Sequence, residues 1–258
     1  MRRFVPHVIA LALAVAPGRF EASPPTPIVV ELFTSEGCSS CPPADALLQR
    51  LVDTQPIAGA EIIALGQHVD YWDGLGWKDR FSSAALTERQ QVYASRFNHG
   101  SAYTPQMVVD GRAEFVGSDA GAAKREIERQ LKALHGTVRI ALQQPDAGRV
   151  TVSVTATDLP RPGRGDRADV LVVVTEDQLR SDVKRGENHG RTLAHAAVVR
   201  FLGTIGEASV DGPSEAHADI ALARDWQRDH IRIVAFVQER RGRTILGSAV
   251  VPLKNARP

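Results

Sequence analysis

The spacing of apolar residues divides the chain into two parts with different periods. In the first part, buried apolar runs alternate with stretches that place apolar residues every three or four positions, which is typical of strands alternating with helices. An Asp-Gly pair between two short alternating runs adds a hairpin. The predicted order is a strand at 28–33, a helix at 44–52, a strand at 61–69, a helix at 84–97, a hairpin of 106–109 and 112–116, and a helix with Ala123, Ile127, Leu131 and Leu134 on one face.

After Gly136 the period changes to two, which is typical of strands with one buried face. No convincing helical pattern follows, and the alternating segments predict six or seven strands. We therefore expect an α/β domain over 27–135 and an antiparallel β-sandwich-like domain over 137–254. The alternating or continuous apolar segments are 138–142, 150–156, 170–175, 216–222 and 231–237, with a last strand ending near Leu253.

The N-terminus resembles a secretory signal peptide. Arg2 and Arg3 precede an apolar stretch at 4–16, and Ala22-Ser23 is a plausible cleavage site, which predicts a signal peptide over residues 1–23. The stretch is too short to span a bilayer. We expect a periplasmic or secreted protein with no stable membrane insertion after signal removal.

Charge argues against a nucleic-acid partner. The 258 residues include 31 basic and 30 acidic side chains without a long block of one sign, whereas nucleic-acid-binding proteins usually carry a basic patch. The sequence also lacks the glycine-rich nucleotide loops and the nucleophile elbow of hydrolases. We expect no cofactor.

The only two cysteines, Cys38 and Cys41, form a C-x-x-C pair between the first strand and the first helix. A disulfide closing so short a loop stabilises a fold by only about 2 kcal/mol. Closely spaced thiols after a strand are better suited to cycling between dithiol and disulfide. The pair therefore predicts redox chemistry, with an inert disulfide and a metal site as alternatives.

The order of the two cysteines suggests their roles. We expect Cys38, at the exposed end of the loop, to be the nucleophile and Cys41 to resolve the mixed disulfide. Ser39 and Ser40 can donate hydrogen bonds to a thiolate. Pro42-Pro43 places the helix start near Cys41, which weakens the help that the helix dipole gives to Cys38.

The order of predicted elements, Cys38-Ser39-Ser40-Cys41 and Thr104-Pro105 together resemble the thioredoxin fold over 27–135. The resemblance implies that Pro105 is cis and faces the disulfide, and that Thr104 offers backbone hydrogen bonds to an extended substrate. The segments E-L-F-T-S-E-G-C-S-S-C-P-P, H-V-D-Y-W and Y-T-P-Q-M-V-V-D-G resemble a family of exported bacterial proteins without a settled function.

Other residues are candidates with ordinary alternatives. Glu31 lies near the position of a buried acid in thioredoxins, and a raised pKa would suit a base for Cys41; it could equally be a half-exposed strand residue. Trp72 could line a substrate groove or simply pack its loop. His68 and Asp70 could move protons or bind a metal, or could hydrogen-bond the loop that follows. For Asn188, His189 and His195 we expect a structural or interdomain role.

We predict a thiol–disulfide oxidoreductase acting on a protein or small-molecule disulfide or dithiol, with a possible redox partner protein. Two alternatives from other classes stay open. One is a copper-handling protein that binds Cu(I) through both thiolates, with His68 or His99 as a third ligand. The other is a binding module on a thioredoxin scaffold that does not use its thiols.

Overall fold

The elements of the computed structural model span residues 24–146 and 148–256, the residues that the structure describes. The predicted signal peptide lies outside them. The α-helices are α1 Pro42–Thr54, α2 Ala84–Arg96 and α3 Ala120–Gln130. The strands are β1 Thr26–Thr34, β2 Ala60–His68, β3 Gln106–Val109, β4 Ala113–Val116, β5 Thr137–Asp146, β6 Arg149–Thr157, β7 Ala168–Glu176, β8 Leu179–Asp182, β9 Thr192–His195, β10 Val198–Ala208, β11 Ser214–Ala221, β12 Ile231–Glu239 and β13 Ile245–Pro252.

The strands and helices predicted between 28 and 130 are confirmed to within a few residues, because their apolar periods are clean. In β1, alternate side chains face opposite sides of the sheet. Leu32 packs with residues of α1 and α3, whereas Val29 packs with Leu86 of α2. Helix α1 begins after Cys41, its N-cap residue, with proline in its first turn, as the sequence predicts.

The fold class predicted from the sequence is wrong. The protein is mostly β, and one mixed sheet of eight strands runs through both parts of the chain in the order β13-β12-β7-β10-β2-β1-β3-β4. There is consequently no thioredoxin-like α/β domain followed by a separate sandwich. Alternation identifies strands, but it does not identify the strands with which they pair.

The two parts meet at the junction of β2 and β10, which pair in parallel at Gly66 and Val198. The Gly66 N–H donates to the Ala197 carbonyl at 2.8 Å. A side chain at this position would place Cβ 2.7 Å from the Ala196 carbonyl oxygen. Glycine is therefore needed for the close approach that makes the sheet continuous.

A second sheet, β11-β6-β5, covers one face of the C-terminal part of the large sheet. Val150, Val152 and Val154 of β6 are buried in one cluster with Val172 and Ile233 of the large sheet. The domain boundary expected at residues 135–137 stays a prediction. The large sheet takes strands from both sides of this boundary.

Strands β8 and β9 form a two-stranded ribbon of their own. The loop between them is closed at its base, where the Val183 N–H donates to the Arg191 carbonyl and the Gly190 N–H donates to the Val183 carbonyl, both at 2.9 Å. The ribbon brings residues far along the chain to the loop that carries the cysteines.

Candidate functional site

Cys38 and Cys41 form a disulfide between the end of β1 and the start of α1, with their Cα atoms 5.4 Å apart. Both cysteines are fully buried, whereas Ser39 and Ser40 between them are exposed. The expectation that Cys38 lies at the exposed end of the loop is therefore wrong. Ser40 Oγ lies 3.4 Å from Cys38 Sγ, so of the two serines it is the one placed to hydrogen-bond that sulfur.

The N-terminus of α1 offers Cys38 few hydrogen-bond donors. Pro42 and Pro43 have no N–H group, and the Cys41 N–H donates to the Cys38 carbonyl at 3.2 Å. The Ala44 N–H donates back to the Cys41 carbonyl. A thiolate at Cys38 would thus receive little of the stabilisation that a helix N-terminus can give.

The predicted substrate-binding residues lie beside this loop. The Thr104–Pro105 peptide is cis, as predicted. Trp72 Nε1 donates to Thr104 Oγ1 at 2.8 Å, and Trp72 also lies against Gly37, where an added Cβ would be 3.1 Å from Trp72 Cβ. The structure therefore brings Trp72 and Thr104 together next to the residue that precedes Cys38.

Glu31 lies in a different, fully buried network on the α2 side of the sheet. Arg89 donates to both carboxylate oxygens, at 2.6 and 2.9 Å, and Tyr93 and Gln67 donate to them as well. Burial opposes the charge, but the ion pair with Arg89 and these hydrogen bonds together lower the pKa of Glu31. The half-exposed alternative and the raised pKa expected for a base are both wrong.

A second group of buried polar residues lies at the carboxyl ends of β1 and β2. His68 Nδ1 donates to the Asp79 carboxylate at 2.6 Å, and the same carboxylate oxygen accepts the Glu36 N–H at 2.9 Å. Glu36 in turn accepts hydrogen bonds from His195 Nε2 at 3.1 Å and from Trp77 Nε1 at 2.7 Å. The rings of His68 and His195 are 4.9 Å apart, so residues from both halves of the chain meet here.

The charges in this group are set by their partners. For His68, burial acts against the charge, but the Asp79 carboxylate raises the pKa above its ordinary value. For Asp79, burial is again opposed by His68, and the net effect is a lowered pKa. Glu36 is similar: burial raises its pKa, but the hydrogen bond from His195 helps to bring it below the ordinary value.

Asp45 lies on the same side of α1 as Cys41, one turn further along the helix. Its N–H donates to the Cys41 carbonyl at 3.1 Å, and its carboxyl group accepts the Thr34 hydroxyl at 2.8 Å. Burial raises the pKa of Asp45, although the charges of His68 and His195 act in the opposite direction. Sequence reasoning missed this residue; the available signal was an acid within the apolar stripe of a helix.

The loop of the β8–β9 ribbon binds the backbone of the loop that carries the cysteines. Asn188 is fully buried, and its Nδ2 donates to the carbonyls of Glu36 and Cys38, each at 2.9 Å. The Ser39 N–H donates to the carboxylate of Glu187 at 3.1 Å. The structural role expected for Asn188 and His195 agrees with these contacts, whereas the side chain of His189 is exposed.

The two histidines considered as a third copper ligand are each paired with a carboxylate. His68 is paired with Asp79, and His99 with Glu114, at 2.6 Å in each case. Within residues 24–146 and 148–256 there is no group of three or more His, Cys, Asp or Glu side chains that could hold a metal ion. Asp70 accepts a hydrogen bond from Thr87 of α2 at 2.6 Å, so the partner of its side chain is a helix residue.

Comparisons with known proteins identify relatives of this architecture. A family model described as "Protein of unknown function (DUF1223)" matches residues 29–238. The structure is similar to a crystal structure of an Agrobacterium tumefaciens protein, with 25% identity, a TM-score of 0.67, and coverage of 92% of this chain and 99% of that chain. It is also similar to HBP35 of Porphyromonas gingivalis, with 15% identity, a TM-score of 0.66, and coverage of 92% and 78%. No curated protein matches.

The described residues contain no helix with the length and apolar character needed to cross a membrane.

Proposed function

The chain belongs to the DUF1223 family of proteins of unknown function, and we propose that it is a thiol–disulfide oxidoreductase acting through Cys38 and Cys41. The observation that carries the proposal is the position of the disulfide between β1 and α1, beside Trp72 and Thr104. A bridge across so short a loop contributes little to stability, so exchange is the better explanation of the pair.

The proposed reaction moves two electrons between dithiol and disulfide. A substrate thiolate attacks Cys38 Sγ, a bond forms between the two sulfurs, and Cys41 leaves as a thiolate that takes up a proton. A second substrate thiolate then attacks the substrate sulfur of the mixed disulfide and releases Cys38. The substrate is oxidised to a disulfide and the protein is reduced; the reverse sequence reduces a disulfide substrate.

Asp45 is the group that we assign to proton transfer at Cys41. Residues four apart on a helix share a face, and Asp45 is buried, which raises the pKa of its carboxyl group and favours the protonated form. It can give its proton to the Cys41 thiolate as the disulfide opens and take it back when Cys41 attacks the mixed disulfide. Glu31, with its lowered pKa, is less suited to this role.

Trp72 and Thr104 form the surface that we propose for substrate binding, next to Pro105, which is buried. Trp72 is half-buried and Thr104 is partly exposed, so both can contact a bound chain beside the cysteine loop. The substrate is a protein or a small molecule with a disulfide or two thiols, and a redox partner protein would restore the starting state of the cysteines.

We place this reaction in the periplasm or outside the cell. The segment with Arg2, Arg3 and the apolar residues 4–16 fits an export signal, and disulfides persist in oxidising compartments.

The test is a trapping experiment with a peptide that contains one disulfide. In the reduced Cys41→Ser variant, the remaining Cys38 thiol should attack the peptide and form a mixed disulfide that accumulates, because the resolving thiol is absent. The Cys38→Ser variant is the matched control and should trap at least ten times less. Mass spectrometry identifies the adduct, and chelator in every sample separates the reaction from metal binding.

Equal trapping by the two variants would contradict the roles assigned to the cysteines. Trapping by neither variant would overturn the oxidoreductase proposal and favour a disulfide that only maintains the loop, an alternative to which the burial of both cysteines gives some weight.

A further inference from the structure

The loop over the disulfide, residues 184–191, is held in place by polar contacts. We call it the cap. Of the described residues 184–192, only Asn188 is buried, so no apolar side chain of the cap anchors it to the rest of the protein. Segments held by few apolar contacts open more readily than a packed core.

Asn188 is the central contact of the cap. Both Nδ2 hydrogens are used, one on the Glu36 carbonyl and one on the Cys38 carbonyl, at 2.9 Å each. Its Oδ1 accepts a hydrogen bond from Arg191 Nη1 at 3.2 Å, which ties the amide to the base of the cap. The side chain of Asn188 therefore holds the carbonyl groups of the two residues that flank Gly37, and the second of these residues is Cys38.

Two weaker contacts lie at the rim of the cap, which we define as Gly186 and Glu187. The Ser39 N–H donates to the exposed carboxylate of Glu187, and Gly186 lies against Trp77, where an added Cβ would be 3.1 Å from Trp77 Cβ. The base of the cap is closed by the backbone pair of Val183 and Arg191.

We propose that Asn188 is a positioning residue that keeps the cap closed over Cys38, so that cap opening sets the rate at which the disulfide can react. The biological meaning of this gate rests on the proposed oxidoreductase function. Its physical basis does not, because a fully buried disulfide can be attacked only after something uncovers it.

The test measures how fast the purified oxidised protein is reduced by tris(2-carboxyethyl)phosphine, a reductant that also acts in acid. Asn188→Ala should be reduced about ten to thirty times faster than the wild type, since two hydrogen bonds that close the cap are lost. His189→Ala is the matched control: His189 is the exposed neighbour of Asn188, and its variant should keep the wild-type rate.

Asn188→Asp distinguishes positioning from general damage to the fold. A carboxylate cannot donate to the two carbonyls, so this variant should be reduced fast at pH 7. A protonated carboxyl can donate one hydrogen bond, so the ratio of the variant rate to the wild-type rate should fall toward one as the pH drops to about 4. The charged or titratable groups of the cap are Lys184, Arg185, Glu187, His189 and Arg191, and Glu36 and His195 lie beneath it.

If Asn188→Ala does not fold, Glu187→Ala provides the same test at the rim and should give a smaller increase, about threefold. Wild-type rates in Asn188→Ala and Asn188→Asp at every pH would overturn the proposal, as would a rate ratio for Asn188→Asp that does not change with pH. Because the phosphine needs no catalytic activity, a positive result here together with failed trapping would identify a gate over a non-catalytic disulfide.

Discussion

Replacing Arg89 by methionine removes the cation from the buried network around Glu31. Arg89 donates to both Glu31 oxygens and, at 3.0 Å, to Gln238 on β12. The side chains of Arg89 and Glu31 are 5% and 0% exposed, so water cannot replace the lost partner. Breaking such a pair from one side costs about 3–5 kcal/mol, because a charge is left buried without its counter-ion.

The measurement is reversible unfolding in urea, followed by tryptophan fluorescence and circular dichroism. At about 2–4 °C per kcal/mol for a protein of this size, Arg89→Met should also lower the melting temperature by about 6–20 °C. The double variant Glu31→Gln/Arg89→Met should be more stable than Arg89→Met alone, because no unpaired charge remains.

Since Gln238 belongs to the C-terminal part of the sheet, both probes should report a single transition. A loss below about 1 kcal/mol in Arg89→Met would refute the assignment of a structural ion pair to Glu31. Two separate transitions would contradict the continuity of the eight-stranded sheet.

Three further predictions follow from the site and the sheet. The raised pKa of His68 means that its pairing with Asp79 stabilises the fold fully below about pH 6.5, the unfolded value, and that this contribution is lost as the pH rises through the folded value. Because the pKa of Asp79 is lowered, its contribution to stability is present above the unfolded pKa and is lost as the pH falls through the folded pKa. The melting temperature of His68→Gln should therefore vary less with pH than that of the wild type, in both the acidic and the basic range. Gly66→Ala should lower the free energy of unfolding by about 1–3 kcal/mol in urea, because its Cβ would contact a backbone carbonyl at 2.7 Å, and an unchanged value would contradict the close approach. Asp45→Asn should slow exchange at Cys41 about a hundredfold at pH 7 in stopped-flow measurements with a disulfide peptide, and an unchanged rate would remove Asp45 from the mechanism.

Local pattern predicted the elements of the first half well. The run ending at Phe33 and the stripe of α1 have unambiguous periods, and Pro42-Pro43 fixes the start of the helix within a residue. Both features follow from sterics or burial acting over a few neighbouring residues. The cis peptide before Pro105 is different, because the resemblance to the thioredoxin fold implied it and local sequence did not.

Long-range pairing was not accessible from the sequence. Strand β10 can approach β2 because residue 66 is a glycine. The sequence does not show that the Ala196 carbonyl lies opposite this position, so the need for glycine could not be predicted. The hydrogen bond on the Cys38 carbonyl comes from Asn188, 150 residues away along the chain. Similarly, no sequence motif identifies Glu36 and Asp79 as partners. They come together only because the turn after β1 contacts the loop after β2.

The junction at Gly66 also limits how this protein can be divided for experiments. A fragment that ends near residue 135 would keep β1 to β4 but would lose β10. Strand β2 would then be an exposed edge strand with apolar residues on both faces. Exposed edge strands of this kind pair with strands of other molecules. We therefore expect the fragment with the cysteines to aggregate when it is expressed alone, so the chemistry of its disulfide is best studied in the full-length chain.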